Sequence, residues 1–112
     1  MRRFLTTTAL AAGCALLAAP AARAQPPAGT AEAGKKKISL CIGCHGIAGY
    51  KTAYPDVYHV PKLGGQSSVY LVKALQAYRS GERGHPSMRG IAASLSDQDM
   101  ADIAAYYAGA AK

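Results

Sequence analysis

The sequence predicts an all-α domain of helices joined by long loops, on three observations. Apolar residues recur at three- and four-residue spacing in two stretches, around Leu71, Leu75 and Tyr78 and around Met100, Ile103, Ala104 and Tyr107. No stretch alternates apolar and polar residues long enough for a convincing strand, and no internal repeat occurs. A five-residue stretch, Cys41-Ile42-Gly43-Cys44-His45, gathers three chemically capable side chains between glycine- and proline-bearing segments.

Residues 1–24 read as a secretory signal peptide. Arg2 and Arg3 precede an apolar run from Phe4 to Ala19, and Ala22-Arg23-Ala24 forms a small-x-small cleavage site. An uncleaved anchor is the alternative, as is lipid attachment at Cys14 after Leu10-Ala11-Ala12-Gly13; Ala11 and the apolar run continuing through Leu17 argue against the latter. Loss of Arg2, Arg3 and Arg23 with the leader brings the formal charge from +7 to about +4. That balance suits docking to acidic proteins. The short Lys35-Lys36-Lys37 run lacks interleaved aromatics and gives no sign of nucleic-acid binding, so it reads as the solvent face of a helix.

Pro26, Pro27 and Gly29 make residues 25–33 a flexible arm, with the domain proper over 34–112. A first helix is expected from Ala31 or Gly34 to Leu40, where Gly34 permits close approach by another helix or simply a flexible start. Residues 46–61 lack a sustained period and carry Tyr50, Tyr54 and Tyr58, which suggests a loop laid over an apolar object. Ser67 or Ser68 caps the next helix and Gly81 ends it. Loop character returns at 82–86, with a short helical turn over 90–95. Ser96 and Asp99 form a capping box for the last helix, which Gly109 closes.

The Cys-x-x-Cys-His stretch carries the chemistry. A thioredoxin-like redox site would need a preceding strand and a βαβ pattern, and a structural zinc site a second ligand pair; neither follows. Two cysteines three apart followed by histidine instead read as covalent haem attachment, with Cys41 and Cys44 as thioether donors and His45 as iron ligand. Both cysteines of the mature chain are then consumed and no disulfide remains. In so small a domain the haem would act as a large part of the core, leaving the apo-chain poorly folded.

The second axial ligand must come from elsewhere. Met100 is explained by the apolar stripe of the last helix. Met88 lies 43 residues after His45, in an expected loop between Pro86 and Gly90, and its soft, neutral thioether suits low-spin iron. His59 and His85 read as polar surface residues, with His85 near enough to Met88 to compete for iron in a bis-histidine alternative.

On these residues the chain resembles a class I monohaem cytochrome c, of the kind seen in one domain of cytochrome c4 and in bacterial cytochrome c-553. The likeness runs from Gly34 to Gly109. It rests on Cys41, Cys44, His45 and Gly46, on Pro61-Lys62-Leu63-Gly64-Gly65-Gln66, on Tyr70-Leu71 with Tyr78-Arg79-Ser80-Gly81, and on Leu95-Ser96-Asp97-Gln98-Asp99 with Ala104-Ala105-Tyr106-Tyr107. The resemblance implies that His45 and Met88 are the axial ligands and that the Pro61 carbonyl accepts a hydrogen bond from His45. It also places Gly34 and Tyr106 or Tyr107 where the first and last helices cross. Residues 49–60 depart from the family pattern, and a single attachment motif excludes a complete two-domain cytochrome c4.

The expected function is periplasmic single-electron transfer between donor and acceptor proteins through one covalently bound haem c. The protein is then a carrier, not an enzyme, acting as a monomer or in transient complexes without stable membrane insertion. The alternatives are a haem subunit held by a dehydrogenase or oxidase, and a haem ligand sensor or peroxidase with a labile Met88.

Overall fold

Residues 27–54 and 56–110 are described by the computed structural model; the expected leader and Cys14 lie outside the described residues. The elements run α1 (Ala31–Lys35), α2 (Ser39–His45), β1 (Lys51–Thr52), β2 (Tyr58–His59), α3 (Ser68–Ser80), α4 (Pro86–Ala93) and α5 (Asp97–Gly109).

Helix α5 is the spine. The Ser96 hydroxyl accepts the Asp99 N–H while the Asp99 carboxylate accepts the Ser96 N–H, closing the expected capping box. Along one face Met100, Ile103, Ala104 and Tyr107 are buried, and Met100 is fully enclosed as an ordinary core side chain. Helix α3 starts where Ser67 accepts the Tyr70 N–H and ends at Gly81, whose φ of 87° is the left-handed conformation that favours glycine there. Its Leu71 and Val72 join Ile103, Ala104 and Tyr107 in the central apolar cluster.

Four expectations are corrected. The single first helix is two, because a turn over 36–38 separates α1 from α2; this lets Lys37 reach back to α5 instead of lying on a solvent face with Lys35 and Lys36. Residues 28–30, expected as part of a loose arm, are docked: the Thr30 N–H donates to Asp102 at 2.9 Å and the Gln98 amide donates to the Ala28 carbonyl at 3.0 Å. Residues 46–61 are not wholly loop, since Lys51 pairs with His59 and Thr52 with Tyr58 in a short antiparallel hairpin. Two residues per strand are too few to leave a periodic trace in sequence. Finally, Met88 is not in a loop but in the first turn of α4, which begins four residues earlier than the expected turn because Pro86 is well suited to the first helical position.

The crossing of α1 and α5 is tight. A Cβ at Gly34 would overlap the Asp102 carbonyl and the Tyr106 side chain, so the backbones meet only because glycine stands there. Asp102 is buried, and Lys37 binds it at 2.7 Å while also binding Asp99 at 2.7 Å. The ammonium group of Lys37 holds both carboxyls below their ordinary range, Ser96 adding to the effect at Asp99 and the Thr30 N–H at Asp102.

Candidate haem site

A cleft of about 250 Å3 opens beside the α3–α5 cluster and is walled by α2, the hairpin, α3, α4 and α5. Cys41, Cys44, His45, Pro61 and Met88 all line it. Met100 does not, in keeping with its place in the core. The wall is otherwise mainly apolar, with Leu71, Leu75, Ile91, Leu95 and Ile103 among its members.

Each functional side chain is placed by a local element. Helix α2 carries Cys41, Cys44 and His45 on consecutive turns, so the motif's spacing brings all three to the cleft. His45 Nδ1 lies 2.7 Å from the Pro61 carbonyl oxygen. A carbonyl only accepts, so Nδ1 carries the proton and Nε2 keeps its lone pair, the form required of a metal-binding imidazole. Burial in the cleft wall pushes the Cys41 thiol up from its ordinary value. Tyr107, pushed up to about 12 mainly by burial, is neutral at physiological pH.

The chain's residues fit a haem on four counts. The donor set is a thiol pair, an imidazole of the correct tautomer and a thioether on one cavity. Leu40 and Tyr58, both more than half exposed, and Tyr70, nearly so, line that cavity and leave apolar surface uncovered among the described residues. Among the described residues the buried Tyr107 hydroxyl on its wall, close to the Cys41 thiol, has no hydrogen-bond partner. Arg83, stacked 4.8 Å over the Tyr78 ring and donating weakly to the Tyr70 hydroxyl, brings a cation to the cavity wall suited to an anionic substituent.

Two features of the site were not foreseen. Arg83 lies in a loop with no periodic signal. His85, read from sequence as a surface residue, is instead half-buried at the N-cap of α4, where its Nδ1 accepts the Met88 N–H at 3.4 Å. The His85-Pro86 pair was the available clue, since proline favours the position after a cap. His59 stands on β2, exposed at the cleft's rim.

An all-α fold of the class I cytochrome c type, with a Cys-x-x-Cys-His helix on its cleft, defines the class. A cytochrome c family model matches residues 31–109, and the chain belongs to that family. Cytochrome c-554(548) of Halomonas halodenitrificans is 48% identical over 83 residues, spanning 71% of this chain and 95% of that protein. Cytochrome c4 of Pseudomonas aeruginosa is 46% identical over 81 residues, spanning 72% of this chain and 38% of that protein. The crystal structure of reduced recombinant cytochrome c4 from Pseudomonas stutzeri matches with a TM-score of 0.60 at 40% identity, over 75% of this chain and 47% of that one. This chain thus spans nearly all of the first relative and less than half of either cytochrome c4.

The protein is a periplasmic electron carrier of the cytochrome c4 type rather than an enzyme, with one covalently bound haem c. Among the described residues no helix is long and apolar enough to cross a membrane.

Proposed function

We propose that this chain passes single electrons between redox proteins through a haem c bound at Cys41 and Cys44, with His45 and Met88 as its two axial ligands. The observation that carries this reading is the His45–Pro61 hydrogen bond on the cavity that Met88 also lines. Bound haem supplies a one-electron couple at its iron.

The protein's own groups decide what that couple is used for. Pro61 fixes the imidazole's orientation and raises its basicity. Met88 supplies a soft, neutral donor that favours the reduced state relative to a second imidazole. With both side chains engaged, no position is left for oxygen or peroxide, so the site exchanges electrons without binding substrate. The apolar wall keeps water from much of the cavity, which limits solvent rearrangement when charge changes. Tyr54, 85% exposed, and Val57 stand out at the hairpin tip and favour, as a second reading, a haem subunit seated on a dehydrogenase or oxidase. Copurification with such an enzyme separates the two.

Absorption spectroscopy of the purified mature protein in both oxidation states, with redox titration, tests the proposal. A far-red methionine-to-ferric-iron band and a reversible one-electron transition are expected. A ferric protein without that band, which takes up added ligand with no methionine to displace, would refute the axial assignment.

A further inference from the structure

His85 is an unusual choice for the start of α4. Serine, threonine, asparagine and aspartate are the side chains that cap helices well, and the capping positions of α3 and α5 both use serine. Pro86, at the first helical position, has no N–H to satisfy, so the cap serves the donors that follow. The one it receives is the N–H of Met88 itself. Since that contact needs an unprotonated Nδ1, the ring's proton sits on Nε2. The His85 carbonyl then accepts the Arg89 N–H at 2.9 Å, which fixes the next turn.

A serine would make the same backbone contact but would reach nothing else. The imidazole also meets the Tyr58 ring edge-on, with centroids 5.6 Å apart and planes at 64°. Tyr58 is held in turn by its pairing with Thr52 across the hairpin. Tyr58, His85 and Met88 all line the haem cleft.

We propose that His85 is a positioning residue for Met88: its Nδ1 fixes the backbone of the turn that carries the thioether, and Tyr58 braces its ring from the hairpin. This rests on Met88 being the distal ligand. It gives the hairpin a part in holding the distal side closed. Loss of the cap frees the turn, and Met88 becomes easier to displace from iron.

The test is titration of the ferric holoprotein with imidazole, a small competitor for the Met88 position, followed by loss of the far-red band. A cap of ordinary strength corresponds to roughly a fivefold change in equilibrium. His85→Ala should therefore raise the apparent imidazole affinity about fivefold. His85→Asn, which restores a capping acceptor without the ring, should fall back to about twofold above wild type, and Tyr58→Leu should also give about twofold. Identical affinities in wild type, His85→Ala and His85→Asn would overturn the proposal. An equal rise in both His85 variants would do so too, because the ring would then act by filling space rather than by capping. If His85→Ala fails to mature, Tyr58→Leu decides, since it keeps the cap and loses only the brace: unchanged affinity overturns the proposal. A wild-type protein with no far-red band would instead remove the Met88 assignment, so the two failures are distinguishable.

Discussion

The two sides of α5 are built on opposite terms. Toward α1, the polar groups find complements in the chain: Gly34 admits the Asp102 carbonyl, and Asp102 is met by Thr30, Lys37 and Gln98. Toward the cleft, α2 buries no residue, Leu40 and Tyr58 stay largely exposed, and the Tyr107 hydroxyl has no hydrogen-bond partner among the described residues. The first side is finished by protein alone, whereas the second is shaped for a large apolar guest. A short domain with little core of its own can be stable on such terms only if the guest is permanent, and covalent attachment makes it so.

The largest expected effect breaks the cleft side outright. Cys41→Ala combined with Cys44→Ala removes both points of attachment, and exported protein should lack covalent haem and lose most of its helical circular dichroism. Full helicity in that variant would mean that the α1–α5 side suffices to fold the domain. Met88→Ala is milder, because the thioethers and His45 remain: covalent haem is retained, the far-red band disappears, and the reduction potential falls by on the order of 0.1 V.

On the other side the effects are on stability, not spectrum. Gly34→Val drives a side chain into the Asp102 carbonyl and should cost about 3 kcal/mol in denaturant unfolding while leaving the far-red band intact. Asp102→Asn should reshape the acid limb of the stability curve. A carboxyl whose folded-state pKa is lowered stabilises the fold above its ordinary value, near pH 4, and loses that contribution as pH falls through the lowered one. The variant should therefore be less stable at neutral pH and show a shallower loss below pH 4, as measured by thermal melts across pH. Lys37 works in the opposite direction: its pKa is raised chiefly by Asp102, so its contribution is whole below its ordinary value near 10.5 and fades as pH climbs past it. The smallest effect belongs to Arg79→Ala, since the Arg79–Asp97 pair is well exposed on both partners; a change within about 0.5 kcal/mol is expected.

The same division explains what could be read from residues alone. Helices α3 and α5 each lay an apolar stripe on a large neighbour, and the caps at Ser67, Gly81 and Ser96 are local chemistry, so both were legible with their ends. That Cys41, Cys44 and His45 act together was legible because their spacing brings all three to one cleft from one helix. Met88 was separable from Met100 because only Met100 fitted a stripe, although its placement in a helix was hidden: eight residues with two apolar side chains, Met88 and Ile91, on the cleft leave little period to detect. Asp102 and Lys37 were illegible as partners, since an acid within an apolar stripe and a lysine within a basic run disclose nothing until the chain folds 65 residues back on itself. The hairpin escaped for the same reason, whereas the His85 cap is local chemistry whose clue, proline at the next position, was available but is weaker than a serine cap followed by an acid.

The bond from Thr30 to Asp102 joins residues 72 positions apart, and the Gly34 crossing lies beside it. A chain emerging from its amino end cannot close this clasp until the final helix has followed. Until then Cys41 and Cys44, on α2 between the two ends of the clasp, lack the packing that α5 provides. The α1–α5 clasp is therefore a late-forming contact, made only once α5 is present to receive Thr30 and Gly34.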